Sequence, residues 1–307
     1  MSLRERLASG SFAVTAEISP PRGASTDPVT RTAALLRGWV DAVNITDNQG
    51  SNVRLASWAG SLAVLAAGLD PVMQMTCRDR NRIALQSDLL GASALGVRNI
   101  LVMTGDHPKF GDHPGAKPVF DVDSVQLLWT LRSMRDQHVL LSGRTVNPAP
   151  DCFLGAVENP FAPPFEFRAE RLGKKVDAGA QFVQTQYVFD VAAFGRWLEQ
   201  VRDLGLHERC SILAGVGAVR SMRALDYMRD KVPGVVVPDD TYRRMQAVPA
   251  DQTAAEGVKL AAEIIKQVAE IPGVAGVHLL VAGNEQAVPE ILANAGIQAT
   301  RGHEDGR

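Results

Sequence analysis

Short apolar runs alternate with amphipathic stretches along the chain. In the first run, 12–18 (FAVTAEI), one face of an extended segment is apolar and the other ends in Glu17. The Pro-Pro-Arg-Gly segment at 20–23 cannot extend a strand, which predicts Glu17 at a strand's carboxyl end, facing inward. For a lone glutamate the alternative is a solvated side chain at a strand terminus.

Seven more apolar runs predict strands, and the stretches between them have helical spacing. The predicted strands are 41–46, 71–77, 99–104, 153–158, 182–189, 211–216 and 276–281. The predicted helices are 27–39, 54–69, 82–95, 123–137, 165–178, 190–204, 221–231, 239–247, 253–269 and 285–295, with a helical lead-in inside 1–11.

Eight strands alternating with helices predict an α/β fold, a single (β/α)8 TIM barrel over 1–307, with an extra helical pair (239–247 and 253–269) before the last strand. A doubly wound sheet is the alternative. The first strand is followed by Pro-Pro-Arg-Gly, and no G-x-G-x-x-G opens a helix, so the usual dinucleotide turn of that fold is missing.

Composition narrows the function classes. The chain has 307 residues, 46% of them hydrophobic, and a net charge of −2 with a pI near 6.3, so we expect neither nucleic acid nor a membrane surface as partner. Three scattered cysteines without a CxxC indicate free thiols and a reducing, cytoplasmic location. No apolar run reaches the length of a membrane span.

Polar residues gather where the predicted strands end. They are Glu17, Thr46, Asp47, Asn48, Gln49, Gln74, Thr76, Thr104, Asp106, Glu158, Asn159, Gln184 and Gln186. At the carboxyl end of a barrel such side chains converge on one site. For Asp47, Glu158 and Asn159, taken singly, helix capping is the favoured interpretation. A buried amide without a partner costs about 1–3 kcal/mol, so Gln184 and Gln186 on one strand face indicate a polar ligand, or pairing with each other.

A Gly/Pro/His-rich loop at 105–117 contains Asp-His-Pro twice. The spacing of His107 and His113 is not a recognised metal-ligand spacing, so no metal is predicted. Its glycines and lysines, placed before a helix, suit a phosphate held by backbone N–H groups, although a mobile surface loop has the same features.

Six segments together resemble the methylenetetrahydrofolate reductase family. They are TAEISPPRG, VNITDNQG, MQMTCRDRN, NILVMTGD, KKVDAGAQFVQTQYVFD and ILAGVG, in the order and roughly the spacing of that family over about 12–281. The stretch MQMTCRDRNRIALQSDLLGA is similar to the short, acetogen-type branch.

The resemblance implies a barrel that binds FAD, takes hydride from NADH or NADPH, and reduces 5,10-methylenetetrahydrofolate to 5-methyltetrahydrofolate or runs the reverse oxidation. It implies Glu17 as general acid, because opening the methylene bridge needs a proton that a carboxylic acid still protonated near neutral pH could supply. Asp106 is expected beside flavin and pterin, and Gln186, with Gln184 on the same strand face, at the folate substrate. The flavin contacts are expected at Thr46, Gln74, Thr104, Gly105, Asp106, His107 and Lys175.

Three positions depart from the family pattern. Gln74 stands where many members have histidine, Thr104 where many have arginine, and Arg168 near an expected acidic residue. These departures remove a basic residue that would contact the diphosphate of the flavin cofactor. Three arrangements stay open: a loosely held flavin, a flavin held by the long loop (His107, Lys109 or Lys117), or direct hydride transfer without flavin. FAD is the favoured arrangement.

The sequence leaves two rival functions open. A methyltetrahydrofolate–corrinoid methyltransferase would also need an inward acid and amides, but it would not account for the TGD and VDAGA…TQ segments. The second rival is a reductase-like subunit that depends on an electron-delivering partner, since three scattered cysteines cannot hold an iron–sulfur cluster alone. The resemblance is compatible with a homo-oligomer or with such a partner subunit.

Overall fold

Eight parallel strands close into a barrel. The computed structural model describes residues 1–281 and 283–299. The strands are β1 (Ala13–Ile18), β2 (Ala42–Ile45), β3 (Asp70–Thr76), β4 (Asn99–Met103), β5 (Phe153–Glu158), β6 (Phe182–Tyr187), β7 (Ser211–Val216) and β8 (Val274–Leu279). Each strand pairs with the next in sequence, and β8 pairs with β1. The predicted TIM barrel is therefore confirmed, and the doubly wound alternative is wrong.

Helices connect the strands on the outside of the barrel. They are α1 (Leu3–Ala8), α2 (Asp27–Leu36), α3 (Ser57–Ala66), α4 (Arg82–Ala94), α5 (Ser124–Asp136), α6 (Arg168–Ala178), α7 (Val191–Asp203), α8 (Met222–Lys231), α9 (Asp239–Gln246), α10 (Thr253–Ala269) and α11 (Val288–Asn294). The predicted extra pair corresponds to α9 and α10. Predicted ends differ from the observed ones by a few residues, where helix ends fray and strands yield to loops.

The short helix α1 covers the amino-terminal end of the barrel. Ser2 and Glu5 form a reciprocal capping box, and the Leu3 N–H donates to Asp70 Oδ2 at 2.7 Å. Leu3 and Leu7 join a buried cluster inside the barrel. Its strand residues are Ala13, Ala42, Val72, Leu101, Phe153, Phe182 and Leu213.

Aromatic rings fill the lower barrel. Phe153 and Phe182 stack with ring centroids 5.1 Å apart. A Cβ placed on Gly155 would lie 2.2 Å from the Phe182 ring, so only glycine fits beside it. Because the amino-terminal half of the barrel interior is packed with side chains, the open space lies at the carboxyl ends of the strands.

The outward faces of the strands pack on the helices in one continuous apolar layer, which includes Phe194 and Trp197 of α7. The cysteines Cys77, Cys152 and Cys210 are buried and free, and burial raises their thiol pKa values to about 12, 11 and 12. Within residues 1–281 and 283–299, no helix combines the length and apolarity needed to cross a bilayer.

Candidate functional site

A cavity of about 530 Å³ opens at the carboxyl ends of the strands. It brings together every residue that the resemblance implies as a catalytic, folate or flavin contact except His107. Those that line it are Glu17, Thr46, Gln74, Thr104, Gly105, Asp106, Lys175, Gln184 and Gln186. A volume of this size is typical of a site for a small organic ligand.

Glu17 lies at the top of β1 with its side chain in the cavity wall, and only 5% of the residue is exposed. The hydroxyl of the half-buried Tyr187 donates to the Leu280 carbonyl at 3.0 Å. Burial raises the pKa of Tyr187, and the negative charge of Glu17 raises it further, which indicates that the two groups are near each other. The predicted inward-facing carboxyl is therefore present at the mouth, and the solvated alternative is wrong.

A network of four polar side chains forms the floor of the site. Gln184 and Asn44 exchange two amide hydrogen bonds, at 2.6 and 3.1 Å. Gln184 also donates to Thr15 Oγ1 at 3.1 Å, and this hydroxyl lies 2.9 Å from His278 Nδ1. Burial lowers the pKa of His278 to about 3, so its imidazole is neutral. The Gln184 amide is thus engaged within the protein, beneath the space that a ligand would occupy.

Gln186 stands on a bulge of β6. The register with β7 shifts between Gln184 and Tyr187, and the Thr185 hydroxyl accepts the Gly215 N–H at 2.9 Å in place of a ladder bond. The Gln186 side-chain carbonyl accepts the Tyr187 N–H at 3.0 Å. Its amide NH2 has no partner among the described residues, and so it can donate to a ligand in the cavity.

Asp47 is buried beside the cavity but does not cap a helix. Its Oδ2 accepts the Thr76 N–H at 2.8 Å and the Thr76 hydroxyl at 2.9 Å, and it pairs with Arg80. Arg80 also pairs with Asp88 at 2.8 Å. The predicted capping role was wrong because the carboxylate joins the ends of two neighbouring strands.

Glu158 is not a helix cap either. Its Oε2 lies 2.6 Å from Lys175 Nζ, which also donates to the Val157 carbonyl. Burial lowers the pKa of Lys175 below its usual value, and the Glu158 charge opposes that shift. Arg168 lies 4.0 Å from the other Glu158 oxygen, and Arg171 also lines the cavity. This end of the site holds three cations against one carboxylate, and so it attracts anions.

Asn159, the third predicted cap, accepts the Phe161 N–H at 3.3 Å and donates to the Pro233 carbonyl at 3.0 Å. These contacts tie the end of β5 to the loop after α8, and no helix begins at Asn159.

The loop after β4 begins at the cavity rim. Gly105 has a φ of +88°, and a Cβ there would lie 3.1 Å from the Thr76 Cβ, so glycine brings the loop close to β3. Asp106 follows it and is exposed at the rim. His107 is exposed outside the cavity lining, and its Nδ1 accepts the Lys109 N–H at 3.1 Å. The structure therefore does not bring His107 to the predicted cofactor site.

Three residues of the site were not predicted from the sequence: Asn44 and His278 in the floor, and Arg171 at the cationic end. Asn44 and His278 lie on inward faces that a period of two would have assigned within 41–46 and 276–281. Arg171 follows Arg168 at helical spacing, which puts both side chains on one side of α6.

The residues present fit the dinucleotide cofactor implied by the resemblance. Thr46 Oγ1 is buried in the cavity wall without a partner among the described residues, as expected of a group that binds a ligand. The cationic end at Arg168, Arg171 and Lys175 suits a diphosphate. Among the residues that the model describes, no three His, Cys, Asp or Glu side chains could hold a metal ion.

Comparison with known proteins confirms the family that the sequence resembles. The family model described as "Methylenetetrahydrofolate reductase" matches residues 2–296. The chain belongs to the methylenetetrahydrofolate reductase family.

Relatives within the family come from several eukaryotes. A Caenorhabditis elegans protein named "Probable methylenetetrahydrofolate reductase (NADPH)" is 24% identical over 93% of this chain and 42% of its own length. "Methylenetetrahydrofolate reductase 2" of Saccharomyces cerevisiae is 26% identical over 84% of this chain and 42% of its own. "Methylenetetrahydrofolate reductase (NADH) 1" of Arabidopsis thaliana is 23% identical over 75% and 38%. The chain thus spans less than half the length of these relatives.

Solved structures share the fold. One of them is an uncharacterized protein from Clostridium thermocellum that binds two copies of 5-methyl-5,6,7,8-tetrahydrofolic acid. The two chains superpose with a TM-score of 0.66 and 13% identity, over 93% of this chain and 97% of the other.

Proposed function

We propose that this chain is an oxidoreductase that reduces 5,10-methylenetetrahydrofolate to 5-methyltetrahydrofolate with hydride from NADH or NADPH. The observation that carries the proposal is the buried Glu17 carboxyl in the same cavity as Gln186 and Asp106. Family membership supports this reaction over methyl transfer to a corrinoid. The Clostridium thermocellum protein, a barrel of the same fold, binds 5-methyl-5,6,7,8-tetrahydrofolic acid, which supports a folate as the ligand.

Each residue has a separate task in the reaction. Glu17 donates a proton to a nitrogen of the pterin side, which opens the methylene bridge and leaves an electrophilic iminium carbon. Gln186 donates through its NH2 group to the pterin, and Asp106 accepts from the pterin's N–H edge. Hydride then reaches the methylene carbon, so one NAD(P)H and one proton yield NAD(P)⁺ and the methyl group.

FAD is the proposed hydride carrier: Thr46, Gln74 and Gly105 would contact its ring, and Arg168, Arg171 and Lys175 would hold its diphosphate. When bound, it supplies a ring that accepts hydride from nicotinamide and passes it to folate. A flavin-free reductase is the second candidate, because Gln74 and Thr104 line the cavity at positions where many family members have histidine and arginine. In that candidate the diphosphate of NAD(P)H occupies the cationic end.

A cytoplasmic location and association with a second copy or a partner subunit stay predictions. The buried thiols support a reducing compartment. A partner is required for the reaction only if the purified chain fails to use NAD(P)H.

The test combines a visible spectrum with folate-dependent oxidation of NAD(P)H by the purified protein. A yellow protein bleached by NADH supports the flavin arrangement, and a colourless but active one supports the flavin-free arrangement. Glu17→Gln is expected to lower folate reduction about 10²–10⁴-fold. NADH binding should stay within about twofold of wild type. Glu270→Gln, at an exposed position after α10, is the control and should retain activity.

Absence of folate-dependent NAD(P)H oxidation in wild type, with or without added FAD, would refute the proposal that this chain uses NAD(P)H by itself and would favour the subunit that depends on an electron-delivering partner. Methyl transfer to cobalamin would establish the rival instead. Equal loss of NADH binding and folate reduction in Glu17→Gln would remove Glu17 from the acid role.

A further inference from the structure

A buried guanidinium lies under the cavity rim. Arg78 follows β3, and only 2% of it is exposed. Its Nε and Nη2 both donate to the carboxylate of Asp79 at 2.7 Å, which makes a bidentate pair. Burial acts to raise the pKa of Asp79, but the pairing with Arg78 overrides it and leaves that pKa below its usual value. The arginine thus keeps its charge in a nearly dry position.

The remaining donors of Arg78 reach two other loops. Nη2 donates to the Asn48 carbonyl at 3.2 Å, in the loop between β2 and α3. Nη1 donates to Ser51 Oγ at 3.1 Å in that loop, and more weakly to the Asp106 carbonyl at 3.4 Å in the loop after β4. One side chain therefore joins three successive strand-to-helix loops.

Ser51 strengthens this junction. Its hydroxyl donates to the Asp106 carbonyl at 2.9 Å, and its backbone has a φ of +61°, which non-glycine residues rarely adopt. A Cβ on Gly111 would lie 1.8 Å from the Ser51 carbonyl oxygen, so the two loops touch at their backbones. The Val53 N–H closes the junction by donating to Asp112, with distances of 3.1 and 3.2 Å to the two carboxylate oxygens. The loop that carries Asp106 is thus held at the Asp106 carbonyl and again at Gly111 and Asp112.

The chemistry of the junction requires arginine. A planar fork can make the bidentate pair and still reach two other groups, whereas the lysine ammonium is a single point of charge. A displacement of about 1 Å at a substrate-positioning residue can cost about 10²-fold in rate. The contacts of this junction therefore bear on the position of Asp106 in the cavity that it shares with Glu17.

We propose that Arg78 is a positioning residue which, through Ser51, fixes the backbone of Asp106 at the cavity rim and thereby sets the affinity for folate. This inference rests on the proposed function. Arg78 itself does not line the cavity, and so it acts through Asp106.

Three variants test the proposal. Arg78→Lys keeps the charge and removes the fork, and Ser51→Ala removes the hydroxyl without leaving a buried charge unpaired. Arg82→Lys is the matched control, because Arg82 makes an exposed bidentate pair with Asp121 at 2.7 and 2.8 Å on the same loop after β4. Exposed pairs of this kind contribute little to stability.

The first measurement is amide hydrogen exchange of the ligand-free protein. Arg78→Lys and Ser51→Ala are expected to speed exchange across 104–112 by about tenfold or more, with the strand amides unchanged. The second measurement is steady-state kinetics. The same variants should raise the KM for folate about 10- to 100-fold while the KM for NAD(P)H changes little, and Ser51→Ala should keep the melting temperature of the wild type. Arg82→Lys should match wild type in both.

Unchanged amide exchange at 104–112 in Ser51→Ala would overturn the proposal. This measurement does not depend on the enzymatic activity of the protein. Faster exchange with an unchanged folate KM would overturn the link to folate affinity. If Arg78→Lys fails to fold, Ser51→Ala still decides both points. Failure of the proposed function would show separately, as a wild type without folate-dependent turnover.

Discussion

The neutral histidine in the barrel floor predicts a specific loss of stability in acid. His278 is fully buried against Thr15, and burial lowers its pKa from 6.5 to about 3. Below pH 6.5 the unfolded chain binds a proton at this imidazole and the folded chain does not. Stability is therefore complete above pH 6.5 and is lost as the pH falls towards 3.

The size of the effect follows from this difference in proton binding. Between pH 8 and pH 5 the unfolded state gains about 2 kcal/mol from protonating one imidazole with a pKa of 6.5. The figure hardly changes if the folded-state pKa is anywhere below about 4. His278→Gln removes the titrating group and keeps a polar side chain.

Urea unfolding followed by circular dichroism at pH 8 and pH 5 measures the effect. The wild type should lose about 2 kcal/mol more of its unfolding free energy between the two pH values than His278→Gln does. His113→Gln replaces an exposed histidine of the long loop and should behave as wild type. The same loss in His278→Gln and wild type would show that other groups set the acid sensitivity and would refute the reasoning.

Two further substitutions test the interior. Glu158→Met should destabilise the fold by about 3–5 kcal/mol, because it leaves the buried Lys175 ammonium uncompensated. In urea unfolding, the double variant Glu158→Met with Lys175→Met should recover much of this loss. A larger loss in the double variant than in Glu158→Met would contradict the pairing. Gly155→Ala should cost about 1–3 kcal/mol, because its Cβ would lie 2.2 Å from the Phe182 ring. A melting curve that matches wild type would contradict that packing.

The barrel could be predicted because each strand carries its own pattern. Alternation in a run such as 12–18 assigns one face to the interior, and a proline or glycine marks where the strand ends. Side chains at the carboxyl ends then converge through the topology of the fold alone. This is why Glu17, Gln74 and Gln186 could be grouped before their positions were known.

The partners of those side chains could not be predicted in the same way. Asp47 bonds to Thr76, which is 29 residues away, and Glu158 bonds to Lys175, which is 17 residues away on the next helix. Local spacing favours a cap for either carboxylate, and only the tertiary arrangement provides the stronger partner. The bulge in β6 is likewise set by pairing with β7.

The shared arginine junction has a consequence for engineering this scaffold. Loops of a TIM barrel are commonly exchanged one at a time to change what the mouth accepts. Here the segments after β2, β3 and β4 meet at Arg78. A replacement for any one of them must therefore keep the hydrogen-bonding groups that contact the other two. A library built on this barrel should therefore vary these three segments as a unit and keep single-loop diversity for the opposite rim.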